Sequence, residues 1–144
     1  MRRVAVLTVF MLALALPATA TAGKVKLRGA VTGAQGSAVQ LTVTKKGGEI
    51  RKITKLKFQR VPLNCQDGQG GAISGSTLRS FPVRGKDFTR KTRISGLGIK
   101  KGYFRVSGKF RRGGKVAKGS VRFAIKRTDG VGCGTGDVRW KARK

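Results

Sequence analysis

From Phe104 onward the chain alternates apolar and basic residues with a period of two. Phe104, Val106, Gly108 and Phe110 interleave with Arg105, Ser107, Lys109 and Arg111. Val121, Phe123 and Ile125 interleave with Arg122, Ala124 and Lys126, and Val138, Trp140 and Ala142 with Arg139, Lys141 and Arg143. Successive side chains of a strand point to opposite faces, so this pattern predicts sheets with one oily and one cationic face. Gly113-Gly114, between the first two runs, supplies the positive φ that a tight hairpin demands.

The same period governs the N-terminal part. Val25 and Leu27 alternate with Lys24, Lys26 and Arg28 in a strand ending near Gly33, and Val39, Leu41 and Val43 alternate with Gln40, Thr42 and Thr44 in a second. Lys45-Lys46-Gly47-Gly48 then turns the chain. Residues 50–65 carry two phases: Ile50, Ile53 and Leu56 are spaced as on a helix, whereas Leu56 and Phe58, then Val61, Leu63 and Cys65, alternate as on a strand. A strand with a bulge between Phe58 and Val61 reconciles them. Pro62 lacks an N–H, which predicts that this stretch lies on an edge or leaves the sheet. Residues 66–76, rich in Gly, Gln and Ser, read as a flexible loop. A short strand is expected at Phe81 and Val83 around Pro82, and another begins at Phe88; residues 91–101 are too broken by glycine to assign. Several short strands, each with one apolar face, predict an all-β protein: a single antiparallel β-sandwich, with a small β-barrel as the alternative. Trp140 shares its face with Val138 and Ala142 and is expected to anchor the core.

The first residues have the order of a secretory leader. Arg2 and Arg3 precede an apolar run from Val4 to Leu16, then Pro17 and the small residues Ala18-Thr19-Ala20-Thr21-Ala22, which offer cleavage after Ala20 or Ala22. The run is shorter than the roughly 20 residues that span a bilayer as a helix. The expected organisation is a signal peptide over 1–22, cut after Ala22, and a single all-β domain over 23–144. After cleavage no transmembrane anchor remains, and the protein is expected outside the cell or in its envelope. In such an oxidising compartment Cys65 and Cys133 are expected to form one disulfide. A two-cysteine metal site would lack any His partner, and a redox pair would lack the C-x-x-C spacing.

Three C-terminal stretches, Val106-Ser-Gly-Lys-Phe110, Ala117-Lys-Gly-Ser-Val121-Arg-Phe123 and Gly132-Cys133-Gly-Thr-Gly136-Asp-Val138-Arg-Trp140-Lys-Ala142, form a distinctive pattern. It resembles a group of small secreted actinobacterial proteins that end in a Cys-x-Thr-Gly-x-Val-x-Trp-x-Ala motif and carry an earlier Cys after a strand, a slot that Cys65 fits. The similarity runs from about Val39 onward, with its specific part confined to residues 106–142. The resemblance implies a compact all-β fold and a Cys65–Cys133 bridge, and implies no activity. The heavy Lys/Arg loading is this chain's own.

Of 144 residues, 33 are Lys or Arg and 5 are acidic, a formal net charge of +28. Cleavage would remove only two of the cations, Arg2 and Arg3. Such an excess predicts binding to an anionic polymer by charge, whether wall polysaccharide, nucleic acid or an acidic membrane surface, driven by counterion release. The candidate residues are Arg105, Lys109, Arg111, Arg122, Lys126, Arg139, Lys141 and Arg143, which join into one field if their three strands are neighbours. Tyr103 is the one aromatic with an evident outward phase, so selectivity for bases is expected to be weak. The alternative is a structural or surface protein with no specific ligand, its charge serving to keep the domain dispersed.

Catalysis has little material here. There is no His, which removes Ser-His-Asp and Cys-His arrangements. The acids are Glu49, Asp67, Asp87, Asp129 and Asp137, the last two in turn-like sequence where Asp is expected for turn chemistry. A phosphate-binding loop at 66–76 would need a Lys-Ser/Thr ending. No catalytic, metal or cofactor residue is therefore assigned, and the expected function is non-enzymatic. Membrane disruption would require an exposed apolar face, and the apolar residues are committed to the core.

Overall fold

The computed structural model describes residues 22–144, so the leader expected over 1–22 lies, but for Ala22, outside the described residues. The described residues form antiparallel strands β1 (Gly23–Val31), β2 (Ala38–Lys46), β3 (Glu49–Cys65), β4 (Gly70–Ser76), β5 (Phe81–Pro82), β6 (Asp87–Gly96), β7 (Ile99–Arg111), β8 (Val116–Arg127), β9 (Gly132–Gly134) and β10 (Val138–Arg143). One 3-10 turn, Arg112–Gly114, joins β7 to β8. The fold is all-β, as the alternation predicts.

Strands neighbour one another in the order β10-β1-β2-β3-β9-β8-β7-β6, with β4 and β5 on the free edge of β3. A further pairing closes this path into a ring: the first half of β8 pairs with β10, Val116 opposite Arg143 and Val121 opposite Val138. The second half of β8 pairs with β9, Ala124 opposite Gly134. The architecture therefore combines the two expectations. A layer of β1 to β5 faces a layer of β6 to β8, as in a sandwich, and β10 and β9 stitch the layers together as in a barrel. The side between β6 and β4/β5 stays unpaired.

Alternation explains the core. Leu27, Leu41, Leu56, Phe58, Phe104, Val106, Phe123 and Trp140 all point inward with 1% or less of their surface exposed. Phe58 on β3 meets the rings of Phe104, Phe123 and Trp140 edge-on, with centroids 6.0–6.1 Å apart, and so joins the two layers. Trp140 anchors the core as expected. Its room comes from inward-facing glycines: Gly119 lies opposite Trp140, and Gly108 opposite Gly119. A Cβ on Gly108 would sit 2.8 Å from the Trp140 ring, and one on Gly119 would press into the Ser107 carbonyl, 2.6 Å from the Gly108 Cα. Backbone cannot yield as a flexible side chain can, so Gly119→Ala is expected to destabilise the domain by about 3 kcal/mol, the upper range for overpacking. Urea unfolding checks this; a loss under about 1 kcal/mol would mean that β7 and β8 move apart freely.

One local reading needs correction, and a stretch left unassigned is strand. Residues 66–76 are not a loop: only Gln66–Gln69 turn, and Gly70–Ser76 is β4, paired to β3 with Val61 opposite Ile73. The physical reason is in the core. Ile73 is buried, and a Cβ on Gly75 would come within 2.8 Å of the Phe123 ring, so a glycine that resembles loop sequence is an absence of bulk. Residues 91–101 also pair, through β6 and β7, with Arg93 opposite Tyr103. The bulge between Phe58 and Val61 is present, with Arg60 at φ 54°, and Pro62 stays paired with Ala72 at a point where β2 has ended and β9 has not begun. Cys65 and Cys133 are opposite one another on β3 and β9 and form the disulfide.

Candidate cationic face

On the outer surface of β7, β8 and β10, strand register brings cations into direct opposition. One cross-strand row runs Lys109, Lys118, Lys141; another runs Lys91, Arg105, Arg122 from β6 to β8. At the closing seam Arg143 of β10 lies opposite Arg28 of β1. Like charges directly opposite each other destabilise a sheet.

The outer surface of β1, β2 and β3 is arranged differently. Lys24, Thr44 and Lys52 share one row; Lys26, Thr42 and Lys55 the next; Arg28, Gln40 and Lys57 a third. A neutral strand separates the cations there. Direct cation-to-cation opposition is concentrated on the β7, β8 and β10 side.

Two adjoining depressions run across that side. Ser107 and Ser120, their hydroxyls 3.1 Å apart, line the first together with Lys109, Lys118, Arg139 and Lys141. The second shares Lys118 and Lys141 and adds Arg111, Arg112, Val116 and Arg143. Together they make a trough lined by no carboxylate. Its cations are exposed, with 50% of the Lys109 side chain open to solvent.

Each acid has a basic partner. Glu49 meets Arg51 at 3.3 Å, Asp87 meets Lys109 at 3.6 Å, Asp67 meets Arg127 at 3.0 Å, Asp129 also meets Arg127, and Asp137 grips Arg122 through both oxygens. The Asp137 hydrogen bonds, and secondarily its charge, raise the pKa of the Arg122 guanidinium above its ordinary value. Only the Asp87 contact touches the trough, at its Lys109 corner.

All eight residues singled out in the sequence point outward from adjoining strands. The trough takes five of them: Lys109, Arg111, Arg139, Lys141 and Arg143. Arg105 lies a row or more away, Arg122 is committed to Asp137, and Lys126 sits toward the far end of β8, lining a different depression with Lys91, Arg93 and Tyr103. The expected single field is thus a trough with a diluted extension. Lys118 and Arg112 belong to the trough and were not anticipated. Lys118 has the phase of Ser120 and Arg122, so extending that alternation back through Gly119 would have found it; Arg112 lies on a hairpin tip, where no periodicity marks it.

Among the described residues no cluster of three His, Cys, Asp or Glu side chains is placed to hold a metal ion, and no helix is long and apolar enough to cross a membrane. Compared with protein-family models, with curated proteins and with solved structures, the chain matches none.

Proposed function

We propose that this is a secreted, non-enzymatic module that binds linear anionic polymers along the trough of β7, β8 and β10. The carrying observation is the row Lys109, Lys118, Lys141, held in direct opposition, with Asp87 reaching only Lys109 at one end and the other four acids engaged by Arg51, Arg122 and Arg127. A fold that places like charges side by side is destabilised by them. A polyanion relieves that repulsion and releases its own condensed counterions, so both partners favour contact. Cations repeat about every 6.8 Å along β10, at Arg139, Lys141 and Arg143, and about every 4.8 Å between strands in the Lys109, Lys118, Lys141 row, an array that follows a charged chain without reading its sequence.

Selectivity is weak in this proposal. Tyr103 is the outward aromatic, and the Lys91 ammonium covers its ring at 4.1 Å from the centroid, leaving no open platform for a base. The Cys65–Cys133 bridge favours an oxidising compartment, in keeping with the leader-like N-terminus.

Salt-graded retention on immobilised heparin, DNA and envelope polysaccharide tests the proposal. Strong retention that falls steeply with salt is expected, nearly flat between about pH 6 and 8, because His, the side chain whose ordinary pKa lies in that window, is absent. Elution at the low salt typical of a protein of ordinary charge would overturn it. The spaced cations of β1 and β3 favour a second reading, in which charge only keeps the domain dispersed.

A further inference from the structure

A separate depression of about 290 Å³ opens at the end of the barrel where the turns at Gly48, Gly85 and Gly113 meet. Ile50 and Phe110, 8% and 3% exposed, form its apolar floor with Val83. Arg51, Lys86, Arg111 and Arg112 surround it, and the one acid in the lining, Glu49, is paired with Arg51.

The site is held in shape by specific contacts. Lys45 donates from Nζ to the Gly113 carbonyl, and Gly114 is buried where a Cβ would fall 2.6 Å from Ile50 Cδ1. Arg112 adopts φ 52° and Gly113 φ 61°, left-handed in succession. Among non-glycine residues Asn enters the left-handed region more readily than Arg, and a long side chain held at positive φ is strained. Backbone strain of this kind persists at ligand sites, and here it presents a guanidinium at the rim of an oily floor.

We propose that this depression binds a small carboxylate with an apolar body, such as an alkyl or aryl acid. The body would lie on Ile50, Val83 and Phe110, and the carboxylate would face Lys86, Arg111 and Arg112. A bare inorganic anion would leave the floor uncovered, and an amine would meet the like charges of Lys86, Arg111 and Arg112, the carboxylate of Glu49 being held by Arg51. The site goes beyond polymer binding and stands without it, although Arg111 and Arg112 belong to both depressions.

Titration of the ¹⁵N-labelled protein with octanoate, followed through its backbone amide resonances, tests this. Saturable shifts are expected at Gly48, Gly85, Gly113 and Gly114, persisting in about 0.5 M NaCl because apolar burial, unlike surface charge, is not screened. Sulfate and octylammonium at the same concentrations should not reproduce them. Arg112→Asn places at positive φ a residue that tolerates it better; it should raise the melting temperature while weakening octanoate roughly threefold to fivefold. Equal shifts with sulfate, no saturation, or undiminished affinity in Arg112→Asn would each overturn the proposal, whatever the retention on heparin.

Discussion

Replacing both cysteines, Cys65→Ala with Cys133→Ala, is expected to lower the stability of the domain by about 4 kcal/mol, the chain-entropy value for a loop of this length. The bridge spans a sequence separation of 68 residues. For a domain of this size the loss corresponds to a fall in melting temperature of roughly 15 °C. The bond also sits on the thinnest seam of the ring. β9 has three residues, and β3 meets it only through Asn64 and Cys65, reinforced by the Gln66 backbone N–H donating to the Gly132 carbonyl at 2.9 Å. Hydrogen exchange should therefore lose protection first at β9, while the pairing of β7 with β8 persists. Repulsion among the cations adds to the deficit at low ionic strength, so salt should recover part of it. Thermal unfolding at two salt concentrations measures both effects; a loss below about 1 kcal/mol would show that the unfolded chain is already constrained without the bridge.

Neutralising the β10 edge of the trough, with Arg139→Gln, Lys141→Gln and Arg143→Gln together, should weaken polyanion binding by about two orders of magnitude and make the salt slope shallower by about 2, from loss of roughly three ionic contacts. The control removes as much charge elsewhere: Lys24→Gln, Lys26→Gln and Lys55→Gln lie on the outer side of β1 and β3, where β2 separates cations with Thr42 and Thr44. Binding of the control is expected to stay within about twofold of the parent, since screened charges act over little more than a Debye length. Because Arg143 opposes Arg28 and Lys141 opposes Lys118, the β10 variant should also melt no lower than the parent at low salt. Equal losses in the two variants would favour dispersed charge over a binding site. Arg122 is a poorer choice for this experiment, since its removal strands the Asp137 carboxylate.

Where the sequence alternates without interruption, fold and face are readable together. Phe104 to Phe110 and Val138 to Ala142 become core because pleating leaves them no other side, and the same rule turns Lys109 and Arg139 outward. Legibility fails at glycine. In the 66–76 tract and at Gly119 the residue is required by close approach of a ring or a backbone, a relation between distant segments that local composition does not carry. Strand neighbours are likewise hidden. That Lys118 stands between Lys109 and Lys141 follows from β8 pairing with β7 on one side and β10 on the other, and register is a tertiary fact. The depression over Ile50 and Phe110 is hidden for a further reason: it is assembled from several turns whose sequences are individually unremarkable.

Closure by β10 also has a temporal side. The first strand finds its second partner only in the last, so the two halves of that seam are separated by nearly the whole described chain. Any process that delivers this polypeptide one end first must keep β1 waiting with an open flank until residues 138–143 arrive, and such long-range closure is slow. During that wait the lysines and arginines act as a mutual buffer, discouraging half-finished copies from pairing edge to edge. The charge that burdens the finished sheet would thus chaperone the unfinished one.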